Sequence, residues 1–285
     1  MIEAGKVQTL QVYRKVDFGY YVSDEVEEVL LPKKEIIGEI QLDQEVDVFI
    51  YHDHEGRWIS TMKTPIITID SYEWVDVVGV NPGLGVFINI GISKDILISS
   101  DDLPLFVEVW PEVGDKLYCS LKCDKNGRLL GKLAPDPVMK EMATQATRST
   151  YNKNLKGRIY RTVKVGSYIF TEEGYIGFIH ESQRRQEPRL GEEIEARVID
   201  VKEDGTVNAS LLPRGHEGMD QDSQVVYEYM ESRGGAMPYW DKSAPEDIQE
   251  RFDMSKAAFK RALGKLMKEG KIYQEEGWTY FSSRK

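Results

Sequence analysis

Three short groups of side chains could support metal binding or acid–base chemistry. Cys119 and Cys123 lie four positions apart on one face of a predicted strand, but no second cysteine pair or spaced histidine accompanies them. Zinc sites need such a second pair, so both cysteines are predicted to be small core residues. His52 and His54 flank an aspartate at a strand–turn junction and lack further metal ligands. Asp101 begins a carboxylate pair in a loop, where turn formation explains it.

The sequence also lacks the local patterns that mark common active sites. It has no Gly-rich phosphate loop, no nucleophile elbow and no Ser/His/Asp arrangement. We therefore predict a protein that is not an enzyme and that needs no cofactor.

Length and composition predict a folded protein of more than one domain. The chain has 285 residues, 41% of them hydrophobic, and a net charge of −11. Its apolar runs are too short to span a membrane, and its first residues do not resemble a signal peptide. Two cysteines cannot form a disulfide framework, which fits a reducing compartment. We expect a cytoplasmic protein without a membrane partner.

The charge is distributed unevenly along the chain. Residues 1–120 carry a net charge of −13 and residues 191–250 carry −10, whereas residues 121–190 carry +7 and residues 251–285 carry +5. The acidic total argues against non-specific binding to nucleic acid. The two basic segments are either solvated faces or local binding surfaces, depending on where the fold places them.

An internal repeat organises the first three quarters of the sequence. Residues 12–22 align without gaps on residues 159–169, and residues 84–88 repeat the central Gly, aromatic and β-branched pattern. The Asp, Gly and Arg of residues 53–57 recur in residues 124–128. Each unit is rich in Val, Ile and Tyr, with alternating runs between turns, which predicts five short strands. The five-stranded OB barrel is the common fold of this size, and the Gly before each aromatic is expected to permit a bulge or bend.

The last 70 residues follow a helical pattern instead. Apolar spacing of three and four predicts helices over residues 221–233, 243–252 and 255–269, followed by a hairpin over residues 272–281. Ser243 and Glu246 are predicted to form a capping box. Three helices followed by a hairpin are the plan of a winged helix-turn-helix domain.

These patterns predict a mainly β, multidomain chain with three tandem OB-fold barrels before a winged helix-turn-helix domain. The predicted segments are barrel 1 at 1–62, barrel 2 at 63–134, a helical linker at 135–152, barrel 3 at 153–214 and the winged helix at 215–285.

The third repeat resembles the S1-type RNA-binding domain, which is an OB-fold barrel. The resemblance rests on Gly157, Gly166, Tyr168, Gly177, Phe178, His180, Gly191 and Asn208. Three such units before a winged helix are similar to the conserved virulence factor B family of bacterial RNA-binding regulators. This similarity implies a protein that binds single-stranded RNA and acts in post-transcriptional control of gene expression, including virulence genes.

The resemblance also implies which side chains contact RNA. Aromatic faces stack on bases and cations attract phosphates, with core packing as the alternative for each aromatic residue. By position, the candidates are Tyr168, Phe178 and His180 in the third repeat, Phe87 and Arg128 in the second, and Phe18, Tyr21 and Arg57 in the first. Lys156, Arg158 and Arg161 would form a phosphate track beside the third repeat.

No repeat contains the whole pattern. Pro32 and Ser99 stand where the third repeat has His180, while Lys202 and Thr206 stand where the others have Asp and Arg. The first repeat is the weakest candidate for RNA binding because the acidic residues 24–28 would repel phosphate. It is predicted to be structural or to contact protein.

The third helix of the C-terminal segment leaves the function open. Its predicted apolar stripe is Phe259, Ala262, Leu263 and Leu266, and the other half of its surface carries Lys256, Lys260, Arg261 and Lys265. Such a helix can enter a DNA major groove, which favours a DNA-binding transcription regulator. The cations can equally keep an exposed helix soluble in an adaptor on ribosomal or RNA-decay machinery. Gly264 in this helix is expected to allow close packing.

Overall fold

The computed structural model describes residues 1–53, 55–125, 127–213 and 215–284, without the side chains of residues 215–220 and 284. The chain forms two compact units, Met1–Leu211 and Leu212–Lys285. The first unit contains three β-domains and the second contains the helical segment. None of the described helices is long and apolar enough to cross a membrane.

The first β-domain is a closed five-stranded barrel. Its strands hydrogen-bond in the order β1-β2-β3-β5-β4. Alternate residues of the strands, among them Val12, Val22, Leu31 and Ile50, are fully buried inside. The strands are β1 (Val7–Val16), β2 (Gly19–Ser23), β3 (Glu28–Pro32), β4 (Glu45–His52) and β5 (Trp58–Thr61).

The second β-domain has the same connectivity and is the predicted OB-fold barrel in a more open form. Among the described residues, its strands form a five-stranded sheet in the order β10-β9-β6-β7-β8, without hydrogen bonds between the two ends. Side chains pack at this seam instead, since a Cβ on Gly131 would lie 2.6 Å from Cγ1 of Ile98. The strands are β6 (Glu73–Asn81), β7 (Gly85–Asn89), β8 (Ile96–Ser99), β9 (Lys116–Cys123) and β10 (Leu129–Leu133).

The linker before the third β-domain is helical over only half of its predicted length. Helix α1 spans Asp136–Met142, and Ala143 is already extended. The N–H groups of Thr144 and Ala146 donate to the carbonyls of Gly174 and Gly205 at 2.9 Å each. Because these bonds tie the backbone to the turns of the third β-domain, the helix predicted to continue to residue 152 ends early.

The third β-domain is a second closed barrel. Its strand order, β11-β12-β13-β15-β14, repeats that of the first. Its small core centres on Ile159, Ile169 and Ile179. The strands are β11 (Asn154–Val163), β12 (Gly166–Thr171), β13 (Ile176–His180), β14 (Glu193–Val201) and β15 (Val207–Ser210).

The internal repeat is visible as the same irregularity in the first strand of each domain. The pairing register shifts between Val12 and Arg14, between Val77 and Gly79, and between Ile159 and Arg161. The bulge therefore lies in the first strand of each domain. The expectation that it lies at the Gly before each aromatic, which begins the second strand, is wrong.

The Gly before each aromatic serves close backbone approach instead. A Cβ added to Gly19, Gly85 or Gly166 would lie 2.2, 2.0 or 2.3 Å from a carbonyl oxygen of the neighbouring strand. Since no side chain fits at that distance, this position of the second strand requires glycine in each domain.

Both junctions between β-domains are tightly packed. Tyr51 of the first domain lies in the same buried cluster as Ile67 of the second. At the other junction, the Gly191 carbonyl accepts the N–H of Lys116 at 3.3 Å, and Arg189 pairs with Asp115 at 3.3 Å. The three β-domains therefore form one body.

The second unit is a winged helix, as predicted. The apolar residues of its last helix, Phe259, Ala262, Leu263 and Leu266, are buried. The sheet order is β16-β18-β17. The elements are α2 (Gly215–Ser232), β16 (Ala236–Met237), α3 (Pro245–Phe252), α4 (Lys256–Lys268), β17 (Ile272–Glu275) and β18 (Trp278–Phe281).

The N-terminus of α4 agrees with the pattern predicted from the sequence, whereas that of α3 does not. Ser255 caps α4, because its side chain accepts the N–H of Ala258 at 3.2 Å. The capping box predicted for α3 is absent: Ala244 occupies the cap position, and Ser243 Oγ accepts the N–H of Trp240 instead.

Replacing Gly264 by alanine should stabilise the winged helix. The expectation that this glycine permits close packing is wrong, because a Cβ there would meet nothing within 4 Å. Alanine is favoured over glycine inside a helix by about 0.5–1 kcal/mol, so Gly264→Ala should raise the free energy of unfolding by that amount. Chemical denaturation followed by the far-UV signal measures it, and a destabilised variant would contradict the open site.

Candidate nucleic-acid interface

Four aromatic rings form a continuous row on the outer face of the third β-domain. Tyr168 and Phe178 lie directly opposite each other on β12 and β13, with ring centroids 5.0 Å apart. Tyr160 lies 6.0 Å from Tyr168, and His180 lies 6.3 Å from Phe178. We call these four residues the aromatic row.

The strands place this row outside the core. Ile169 and Ile179, the neighbours of Tyr168 and Phe178, point inward and are fully buried, so the two aromatic rings lie on the opposite face, half-buried. Tyr160 joins them because it is the extra residue of the bulge between Ile159 and Arg161. These rings therefore do not pack in the core of the barrel, which was the alternative considered for them.

One of the three basic residues predicted for this face lies next to the row. Arg161 pairs with Tyr168 across the strands, and its guanidinium carbon lies 5.4 Å from the ring centroid. It also donates to Asp136 of α1, and this hydrogen bond raises the pKa of Arg161. The row thus has a cation next to it, but an internal carboxylate already holds that cation.

The other two predicted basic residues are not brought to the row. Lys156 and Arg158 lie further along β11, at register positions opposite Glu195 and Glu193 of β14. Arg158 donates a hydrogen bond to the Glu193 carboxylate. Of the predicted phosphate track, Arg161 lies next to an aromatic ring, and Arg158 is held by a carboxylate of β14.

Two polar side chains complete this face. His180 Nδ1 accepts the N–H of Ser182 at 3.2 Å, which leaves Nε2 to carry the proton of the neutral ring. Asn208 of β15 lies opposite Phe178 in a parallel ladder. An amide and an imidazole beside stacked rings can donate to and accept from the edges of bases.

In the first β-domain the structure brings the predicted residues into one groove. Phe18, Tyr21 and Arg57 all line it, together with Trp58, which the sequence analysis missed. Tyr21 lies opposite Leu30, and the Arg14 guanidinium carbon lies 3.7 Å from the Tyr21 centroid.

The second β-domain has a ring cluster of its own, which Phe87 does not join in the part that the structure describes: Tyr118 of β9 lies 6.0 Å from Tyr72 and 5.3 Å from Trp74 of β6. Phe87 lies opposite Leu97, half-buried, with no row of rings beside it. Arg128 Nε donates to Asp124 at 2.8 Å and repeats the Arg57–Asp53 pair of the first domain.

The winged helix offers cations on α4 and aromatic rings on its hairpin. Lys260 and Arg261 are exposed, Lys256 is half-buried, and Lys265 lies 4.0 Å from Glu269. On the hairpin, Tyr280 stacks between Tyr273 at 5.4 Å and Trp278 at 6.3 Å. The hairpin was predicted, but these stacked rings were not recognised as a surface.

Metal binding finds no support in the described residues. They contain no group of three or more His, Cys, Asp or Glu side chains that could hold an ion. Burial raises the pKa of Cys119 to about 12, while Cys123 is exposed and so is not the core residue predicted. His52 is buried against the Trp58 ring, and His54 lies outside the described residues.

Each of the four domains matches a known protein family. The matches are an S1 domain at residues 4–63, the CvfB first S1-like domain at 72–132, the second domain of virulence regulatory factor CvfB at 139–213, and a CvfB-like winged helix domain at 224–281. Conserved virulence factor B of Staphylococcus epidermidis is 39% identical over 254 residues, which cover 88% of this chain and 85% of that protein. The chain belongs to the conserved virulence factor B family.

Two further proteins are similar to this chain over almost its whole length. The uncharacterized protein YitL of Bacillus subtilis is 50% identical over 276 residues, 97% of this chain and 93% of that protein. A crystal structure of a multidomain protein with nucleic acid binding domains from Streptococcus pneumoniae is 37% identical, with a TM-score of 0.65 and 98% coverage of both chains.

Membership in this family confirms the predicted fold class and the predicted resemblance to conserved virulence factor B. The matched domains are S1-like and winged-helix types, which bind nucleic acids, and virulence regulation is the role that the family names carry. None of the four matched descriptions is of an enzyme family.

Proposed function

We propose that this protein binds single-stranded RNA through the third β-domain and acts without catalysis in post-transcriptional regulation, including that of virulence genes. The observation that carries the proposal is the aromatic row, in which Tyr160, Tyr168, Phe178 and His180 follow one another at 5.0–6.3 Å on an outer face. Successive bases of a single strand stack on such a platform.

The chemistry of the row favours unpaired bases over a duplex. Stacking on a ring requires a base whose face is accessible, and in a duplex that face is covered by its neighbours. Arg161, adjacent to Tyr168, supplies a contact for a backbone phosphate. A helix such as α4, with Lys260 and Arg261 exposed, instead suits the major groove of DNA and supports the second candidate function.

Binding to single-stranded RNA and to duplex DNA, each titrated with salt, separates these functions. We expect the full chain to bind single-stranded RNA more tightly than duplex DNA at ~150 mM salt, because few cations flank the rings and the net charge is negative. Lys256→Ala/Lys260→Ala should leave most of the RNA affinity intact. Tighter binding to duplex DNA, lost in that variant, would favour a transcription regulator, and binding to neither would favour the adaptor.

Replacing Asp136 by asparagine should strengthen RNA binding. Asp136 holds Arg161, so removing its charge releases the guanidinium for phosphate. The pair is partly exposed and worth at most ~1 kcal/mol, so the expected gain in affinity is about two- to five-fold, with a salt dependence steeper by about one phosphate contact.

The control for Asp136→Asn is Glu193→Gln, which releases Arg158 away from the row. We expect this control to change RNA affinity by less than about two-fold. An equal gain in both variants would show that the effect is only one of net charge.

A further inference from the structure

A groove of about 600 Å³ opens on the outer face of the first β-domain. Phe18, Tyr21 and Trp58 line it, and Phe18 and Trp58 are 58% and 42% exposed. Large apolar rings exposed in a concave site are a feature of binding surfaces.

Three carboxylates and two cations line the groove, and carboxylates already hold one of the two cations. Glu28, Asp53 and Glu55 contribute to its lining, together with Lys34 and Arg57. Arg57 already pairs with Asp53 at 2.7 Å and with Glu55 at 2.9 Å. Its guanidinium therefore adds little net positive charge for an incoming ligand.

The surroundings of the groove are acidic as well. Arg14, which stacks on Tyr21, pairs with Glu28 at 2.7 Å. Residues 1–62 contain 13 acidic and 6 basic side chains. A polyanion approaching this face meets a negative potential, whereas a cation is attracted to it.

The corresponding face of the third β-domain differs at the same positions. Leu30 stands opposite Tyr21 where Phe178 stands opposite Tyr168, and Pro32 stands opposite Gly19 where His180 stands opposite Gly166. The first β-domain thus lacks the continuous row and has isolated rings among carboxylates instead. Rings and carboxylates together are the chemistry that recognises a guanidinium.

We propose that this groove binds an arginine-bearing, basic segment of a protein partner. The faces of Phe18 and Trp58 attract the guanidinium, and the carboxylates of Glu28 and Glu55 accept its hydrogen bonds. Arg14 already pairs with Glu28 and Arg57 with Glu55, but the two arginines are 43% and 69% exposed. Their ion pairs therefore contribute little, and an incoming arginine can replace either one. This inference does not depend on RNA binding by the third β-domain.

The test is calorimetry of the full chain with three probes. They are a synthetic peptide of alternating Gly and Arg, the same peptide with Glu in place of Arg, and single-stranded oligouridine. We expect the Arg peptide to bind and the Glu peptide not to bind.

Variants of the rings distinguish the groove from attraction by net charge. Phe18→Ala/Trp58→Ala leaves every charge in place, so a loss of about ten-fold or more in Arg-peptide affinity reports on the rings themselves. The matched control is Phe106→Ala, which removes an exposed ring, 65%, from the second β-domain and should leave peptide affinity unchanged. Phe18→Ala alone, at an exposed turn, should give a smaller loss, so the result does not depend on the folding of one variant.

The affinities of the ring variants for peptide and for oligouridine decide between the groove and other binding sites. Oligouridine affinity that is unchanged in Phe18→Ala/Trp58→Ala, together with lost peptide affinity, supports the proposal. Peptide binding that is insensitive to the rings, or oligouridine binding that is lost with them, overturns it, and so does an Arg peptide that does not bind.

Discussion

Replacing Tyr168 and Phe178 together by alanine is expected to weaken binding of single-stranded RNA at least about 30-fold, because each lost base stack is worth ~1–3 kcal/mol. The two rings lie at the centre of the aromatic row, 5.0 Å apart, with Tyr160 and His180 at its ends. Their removal leaves two rings too far apart to continue a stack. Filter binding or fluorescence anisotropy at fixed salt measures the loss.

Tyr151→Ala is the matched control for this variant. Tyr151 is 61% exposed in the linker before β11 and lies outside the row. It should leave RNA affinity unchanged. Because both rings are half-buried, the double variant should also lose some stability, so RNA affinity is compared at a temperature where circular dichroism shows it to be folded. An equal loss of RNA affinity in Tyr151→Ala, or no loss in the double variant, would contradict the assignment of the row.

Replacing Gly166 by alanine should destabilise the β-domain unit by about 3 kcal/mol, the upper part of the range for overpacking. A Cβ there would lie 2.3 Å from the Ile179 carbonyl oxygen and 2.6 Å from the Phe178 ring. Because backbone cannot yield as a flexible side chain does, β12 and β13 would have to separate. The same shift would move Tyr168 away from Phe178, so RNA affinity should fall as well. Urea denaturation measures the free energy of unfolding.

Gly79→Ala is the matched control within the same unit. A Cβ on Gly79 would lie 3.5 Å from the Phe87 ring, an ordinary van der Waals distance. The substitution should therefore change the free energy of unfolding by less than about 1 kcal/mol. If both alanine variants were equally stable, close backbone approach would not explain the repeated glycine.

The repeat could be read from the sequence because side-chain spacing in strands is regular. The expected equivalence of Pro32, Ser99 and His180 is confirmed by their pairing with Gly19, Gly85 and Gly166. The turn equivalence also holds, because Asp53, Asp124 and Lys202 donate their N–H groups to the carbonyls of Arg57, Arg128 and Thr206 at 2.9 Å each.

What the sequence did not reveal depends on partners far along the chain. Arg158 is paired with Glu193, 35 positions away, so the ion pair that holds it could not be seen in local spacing. The bulge that brings Tyr160 into the row breaks the alternation on which face assignment depends. The aromatic pattern of the resemblance did not include Trp58, although its place at the start of β5, beside the turn residues, could have indicated it.

The junctions at Gly191 and Tyr51 have a consequence for avidity. Domains joined by flexible linkers capture a second ligand segment at an effective concentration that depends on linker length. Here the three β-domains form one body, so the distance between the groove of the first and the aromatic row of the third is set when the chain folds. A ligand or complex that reaches both surfaces does not have to order a flexible linker of this protein. A ligand whose length does not match the distance between the two surfaces cannot make the second contact. The unit thus selects its partners by length as well as by chemistry.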